Sequence, residues 1–491
     1  MKKVIYSLLA GAMVLASCSD FTDIQPKGKN LLSSDDELEL LLNNEYEWSD
    51  YDMNNLGGEI LYTYNDVSAL MNVPAKSRRT YLWGFFDSEE DIQAVERLTT
   101  SDNFYSTLYG LVGTVCNPIL QQVGTASGDF DKLKQITAEA YALRAYCHFL
   151  LLQKFAKAYN SATATEDPAI VYLTEDCDIQ TPQPKKTVKE VYDLCLQDIN
   201  AAIELNAVPV QAASTSRLNK AATYAIKAHI CMGMQNYTEA EAAATTALSI
   251  QGTLHDYYAD AAVAYDYNHA PYYYTALDCR DSEETYLSIC NSSFLDFVSP
   301  ECFAEVENTY ATLHLMYYIN NMYRGISSIM PSYAIYEDYG SLYSLPGWMC
   351  TYSVMLGNSW NASGLTVANM YLLIAEAELR AGNIDAAMAN LDVLRASRIM
   401  DSAYEPLLGK VTTKTEAIAK IKATSLGENM WGPWNFIERK RWNVEDDWKT
   451  TITHTIGGQV RTLTPESNLW VFPFPKAVRE NNPYLTSNRN K

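Results

Sequence analysis

The sequence predicts a mainly α-helical protein, built of tetratricopeptide-like helical repeats and interrupted by a loop-rich, aromatic-rich insert. Three observations carry this. Four long stretches place apolar or small residues at spacings of three and four, one face of a helix in each case. An Asn-x-x-x-Ala turn occurs twice at matching offsets. Between Gln251 and Thr366 the helical period stops and tyrosine and tryptophan accumulate.

The chain has 491 residues, of which 48% are hydrophobic and 20% charged, as in folded proteins. Its 37 Lys+Arg against 59 Asp+Glu leave a net charge of −22. Sequence-independent nucleic-acid binding needs clustered cations that displace counterions from phosphate, so this balance speaks against it. It speaks equally against a polybasic membrane patch. The 35 Tyr, 9 Trp and 13 Phe exceed what a core of this size needs, which places some of them on the surface.

Lys2 and Lys3 precede an apolar run, Val4 to Leu15, and then Leu15-Ala16-Ser17-Cys18. This is the order of a secretory signal, too short to span a bilayer as a mature helix. The last four residues resemble a bacterial lipobox, in which the cysteine is acylated and becomes the first mature residue. Residues 1–17 are therefore expected to be a lipoprotein signal peptide, Cys18 the lipidation site and residues 18–34 a tether. Residues 35–491 are expected to form one domain. Nine further cysteines, with no Cys-x-x-Cys, offer no zinc-ribbon or thioredoxin motif. Cys147, Cys195 and Cys231 sit in helical patterns and read as buried free thiols; no disulfide is assigned.

A short helix is expected from Asp35 to Asn44, with Leu38, Leu41 and Leu42 on one side. Residues 45–90 read as irregular and aromatic-rich, and 91–123 as helical. The long helices follow. Ala138, Ala142, Ala145, Phe149, Leu152 and Ala156 line the first. Val188, Val191, Cys195, Ile199 and Ala202 line the second, Ala221, Ala225, Ala228 and Met232 the third, and Ala368, Leu372, Ala375 and Leu379 the fourth. The third and fourth continue through Asn236 to Ala240 and Ala247, and through Asn383 to Ala387 and Leu394. That is the pattern of paired repeat helices crossing at small residues. The units are about 133–206, 217–250 and 366–399, with the insert at about 251–365.

Catalytic motifs are lacking: the sequence contains no His-Glu-x-x-His, Walker A, Gly-x-Ser-x-Gly or Gly-x-Gly-x-x-Gly. Its six histidines show no metal-ligand spacing, and His148 and His229 lie in apolar helical settings, as structural histidines do. Asp446-Asp447 reads as a solvated face. No metal, cofactor or enzymatic activity is expected. Binding is better supported. A tyrosine or tryptophan ring can cover the C–H face of a sugar at low entropic cost while polar side chains reach the hydroxyls, and the same surface suits peptides.

Several stretches together resemble the SusD/RagB family of surface nutrient-binding lipoproteins of Bacteroidetes. They are Cys18-Ser19-Asp20-Phe21 with Gln25-Pro26-Lys27-Gly28; Ala138-Glu139-Ala140 through Leu143-Arg144-Ala145-Tyr146; Ala375-Glu376-Ala377 through Leu394-Arg395-Ala396-Ser397-Arg398; Glu438-Arg439-Lys440-Arg441-Trp442; and Leu469-Trp470-Val471-Phe472-Pro473-Phe474-Pro475 with Asn482-Pro483. Glu428-Asn429-Met430-Trp431-Gly432-Pro433-Trp434 departs from the family's Glu-Gly-x-Arg-type stretch and marks a divergent branch. The resemblance implies a lipid-anchored outer-membrane protein at the cell surface. It would bind nutrient oligomers, foremost glycans, and deliver them to a SusC-like TonB-dependent transporter. It also implies that the insert and the loops before the first repeat form the ligand-binding side. This puts Tyr81 and Trp83 in the first region and Tyr343, Trp348 and Trp360 in the second. Trp431, Trp434, Trp442 and Trp470 read as core. The alternatives are a peptide ligand, a repeat scaffold without small ligand, and a hydrolase.

Overall fold

The computed structural model describes residues 32–44, 46–47, 50–53, 56, 60–61, 77–178, 180–255, 280, 282–291, 295–298, 329–331, 349–352, 360–361, 363–399, 404–429, 432–456 and 459–489. Helices dominate. Many of them begin where the sequence offers a side-chain oxygen to the first free amides. Ser34, Thr187 and Thr413 each form a capping box with the glutamate three residues on, opening Asp35–Leu42, Val188–Leu205 and Lys414–Glu428. Asp129 caps Phe130–Phe155, the longest helix at 26 residues.

That helix is the axis of the protein. From Ile136 to Phe155 almost every side chain is buried, because other elements surround it on all sides. Val188–Leu205 packs along it, and Lys220–Gly233 packs on Val188–Leu205. The array continues in chain order through Tyr237–Ile250, Val367–Arg380, Ile384–Ala396 and Lys414–Glu428. The expected small residues sit inside it: Ala228, Ala240, Ala247, Ala375, Ala387 and Leu394 are fully buried.

The two Asn-containing turns superpose in detail. Gln235 and Gly382 take the left-handed conformation, at φ 62° and 90°. Asn236 and Asn383 follow at φ −91°, ψ 73° and φ −94°, ψ 74°. Their amides donate to the carbonyls five residues back, Cys231 and Glu378, each at 2.9 Å. Ala240 and Ala387 then open the next helices by donating to Asn236 and Asn383, each at 3.0 Å. Glycine suits the left-handed position; Gln235 occupies it under strain.

The segment expected to be irregular, 45–90, contains short ordered pieces. Tyr46–Glu47 and Ile60–Leu61 are strands, and Arg78–Trp83 is a helix. The 91–123 stretch is helical, broken at Thr99–Asp102 and carrying a π-turn at Val112–Cys116. The insert also holds strands. Ile289–Asn291 lies between Tyr46–Glu47 and Trp360–Asn361, and Leu295–Val298 lies between Ile60–Leu61 and Met349–Tyr352. Strands of two to four residues carry too few alternations to register in a sequence pattern.

No helix among the described residues is long and apolar enough to cross a membrane. Cys116, Cys147, Cys195 and Cys231 are buried free thiols. Burial raises the thiol pKa of each.

Candidate ligand-binding face

The N-terminal segment and the insert are woven together by the strand pairs just described, although more than 200 residues separate them in the chain. The insert's last turn is anchored to the helical core. The Tyr146 hydroxyl donates to the Ser363 carbonyl, and Trp434 Nε1 donates to the Gly364 carbonyl at 3.3 Å. A Cβ at Gly364 would lie 2.2 Å from the Leu287 carbonyl oxygen, so only glycine fits this close approach.

The candidate residues fall differently. Trp83 is fully buried at the end of the Arg78–Trp83 helix, among the largest buried side chains. This corrects the expectation that placed Trp83 among the rings of the ligand-binding side. Gly84 is the helix C-cap, its amide donating to the Leu82 and Thr80 carbonyls, and the helix carries the ring inward. Tyr81, on the same short helix, is only partly buried. Its ring meets Phe86 edge-on at 5.8 Å, and the Arg461 guanidinium lies 3.9 Å from the Phe86 centroid. Arg461 comes from the hairpin Ile452–Ile456/Gln459–Leu463, which no motif marks. Trp360 is in the edge strand of the three-stranded sheet, opposite Asn291. Tyr343, Trp348, Cys18 and Trp431 lie outside the described residues. Trp434, Trp442 and Trp470 are buried, as expected.

Most of the recognisable motif residues build the frame behind this face. Glu139 accepts two hydrogen bonds from Arg217, at 2.7 and 2.8 Å. Glu376, the corresponding residue of the second Ala-Glu-Ala, accepts two from Arg441, at 2.5 and 2.6 Å, and a third from Trp442 Nε1 at 2.9 Å. Burial opposes ionisation of Glu376, but Arg441 and Arg380 outweigh it and hold the carboxyl at about 2. Arg144 grips Asp198 through two bonds of 2.7 and 2.8 Å and also reaches Asn117 and Glu175. Arg398 ties the last repeat to Glu284 at 2.7 Å and to the His255 carbonyl at 2.8 Å, at the two ends of the insert's first arm. Lys440 donates to the Gln153 carbonyl at 2.7 Å and to that of Ala156, closing the C-terminal end of the long helix. Burial brings its pKa down to about 7.

The two helical histidines are structural. His148 Nε2 accepts the Leu173 amide at 3.0 Å, so Nδ1 carries the proton and donates to the Arg144 carbonyl at 3.0 Å. The His229 ring stacks on Trp434 at 4.1 Å. Burial lowers both to about 3. The described residues contain no group of His, Cys, Asp or Glu that could hold a metal ion.

Residues 21–232 match the model of the SusD-like family whose description reads "Starch-binding associating with outer membrane". The fold is that of solved SusD superfamily structures. A SusD superfamily protein from Bacteroides thetaiotaomicron is 15% identical, with a TM-score of 0.64 over 93% of this chain and 100% of its own. A SusD-like carbohydrate binding protein from Bacteroides fragilis is 14% identical, with a TM-score of 0.63 over 93% and 100%. Another SusD-like carbohydrate binding protein, from Bacteroides vulgatus, is 14% identical, with a TM-score of 0.59 over 94% and 98%. No curated protein matches the chain in sequence.

Proposed function

The chain is SusD-like in its family match over residues 21–232 and in its fold, and from that premise we propose that it captures oligosaccharides at the outer face of the outer membrane. It is a binding protein, tethered through Cys18, that hands its ligand to a SusC-like TonB-dependent transporter. The observation that carries the ligand reading is the strand pairing of the N-terminal segment with the insert. It joins the two aromatic-rich stretches of the sequence, which are more than 200 residues apart in the chain. Tyr81, Tyr343, Trp348 and Trp360 are the rings offered to a sugar.

The net charge of −22 disfavours anionic polymers, so the ligand is a neutral oligosaccharide. Contacts to single rings are weak, and tethering beside a transporter compensates by raising effective concentration. A glycan array on the purified protein, followed by calorimetry with the best ligand, tests this. Saturable binding of a neutral oligosaccharide that Trp348→Ala weakens at unchanged melting temperature is the expected result. Binding of peptides alone, or of no oligomer, would overturn it. Cys18→Ala should move the folded protein to the soluble fraction of cells lacking the partner barrel; retention in the membrane fraction would reject the anchor.

A further inference from the structure

Lys154 is buried near the C-terminal end of the long helix, its side chain 2% exposed. Three carboxylates surround its ammonium group: Asp50 at 2.5 Å, Asp102 at 2.7 Å and Asp52 at 3.7 Å. Their side chains are 0%, 3% and 5% exposed. Arg78 adds a second cation, 2.6 Å from Asp52. The rings of Phe104, Phe155 and Phe472 close the cage at 5.3–5.6 Å from the ammonium nitrogen. The charged residues come from separate elements. Asp50 and Asp52 belong to the N-terminal segment, Arg78 opens a short helix, Asp102 caps Asn103–Leu111 and Lys154 sits in the long helix. Tyr105, which Asp102 also faces, is a further titratable group at the cage.

Three carboxylates against two cations leave one negative charge unbalanced in a water-poor site when all are ionised. Such a cluster binds a proton as a unit. Protonation of Asp50 gives up the charge of its pair with Lys154, but the ammonium keeps Asp102 at 2.7 Å and a neutral Asp50 still accepts the Met53 amide at 2.8 Å. The position matters. Asp50 lies three residues after Glu47, and Tyr46–Glu47 pairs with Ile289–Cys290, which leads on to Trp360–Asn361.

We propose that the Asp50–Asp52–Asp102 cluster around Lys154 and Arg78 is a proton-operated latch: mild acid tightens the Tyr46–Met53 segment on the long helix and, through the strand pair at Tyr46–Glu47, the Ile289–Asn291 strand. Its sign follows from linkage. Burial, and then Asp102 and Asp52, raise Asp50 against the pull of Lys154, to about 6. A raised carboxyl contributes stability that is complete below its unfolded pKa and is lost as pH rises through the folded one. The working window is therefore about pH 4 to 7.

Hydrogen exchange of the whole protein, corrected for intrinsic rates, reads this directly. Segments 46–53 and 289–291 should exchange about fourfold more slowly at pH 5.5 than at pH 7.5, the ratio a carboxyl shifted from 3.8 to about 6 produces. Asp50→Asn imitates the protonated latch. It should be as slow at pH 7.5 as the wild type is at pH 5.5, with no pH dependence left. If that variant fails to fold, Asp52→Asn removes the same surplus charge and is read in the same way. Exchange in 46–53 that is independent of pH, or faster in acid, would overturn the latch. A change in 46–53 with none in 289–291 would overturn its coupling to the insert.

Discussion

Arg441 and Glu376 face each other as a two-pronged, buried ion pair, 65 residues apart in the chain, with guanidinium nitrogens 2.5 and 2.6 Å from the carboxylate oxygens. The pair locks the last repeat to the Trp434–Trp442 helix. Breaking such a pair strands a charge in the interior, at a cost of about 3–5 kcal/mol. Glu376→Gln and Arg441→Met should each lower the melting temperature strongly. The double variant should recover only part of the loss, since Glu438, which Arg441 also holds, is left without that partner. Equal, additive losses in denaturant titrations would show that the two residues act independently.

Ala228 and Ala375 occupy equivalent places in their helix pairs, and both are fully buried. Leucine at either site has no room. Overpacking should cost about 1–3 kcal/mol. Unchanged unfolding midpoints for both variants would mean that the helices do not cross at these residues.

His148 and His229 are buried and neutral, each lowered to about 3 by burial. In the unfolded chain a histidine titrates near 6.5, so acid protonates the unfolded state first. Stability is then lost as pH falls from about 6.5 towards 3, by about 1.4 kcal/mol per pH unit for each histidine. His229 Nε2 has no hydrogen-bond partner among the described residues. His229→Phe therefore keeps the stack on Trp434 and should remove one histidine's share of the slope between pH 5 and 6. Denaturant midpoints across that range measure it; parallel curves for variant and wild type would refute the assignment.

Trp83 and Tyr81 should separate stability from binding. Trp83→Ala empties a core site and should cost about 3–5 kcal/mol, with oligosaccharide binding retained per folded molecule. Tyr81→Ala, at a partly buried ring, should weaken binding with a much smaller change in melting temperature. Calorimetric unfolding and ligand titration on the same samples distinguish them. The reverse pattern would exchange their roles.

The helical frame was legible before any coordinates because it depends on local pattern. A period of three and four needs only the residues of one helix, and Asn236 and Asn383 announce equivalent turns through their neighbours alone. Glu139, Arg144, Glu376 and Arg441 stood out as motif residues, but which residue each of them faces did not. Arg217 finds Glu139 from 78 residues away, and nothing in either local stretch announces the match. Trp83 was misjudged for the same reason. A flanking glycine is compatible with an exposed turn or with a helix end, and only the surrounding elements decide which way a ring points.

Residue order alone was enough to specify the helical repeat class, the buried small residues, the buried histidines and an acidic balance that speaks against polyanion binding. Tertiary structure alone set Asp50, Asp52, Asp102 and Lys154 around one buried point, drew Arg461 over Phe86, and paired Tyr46–Glu47 with Ile289–Cys290. The physical reason is range. Helix periodicity and capping are settled within about four residues, whereas the burial that shifts a charge or hides a ring is the summed contribution of segments brought from across the chain.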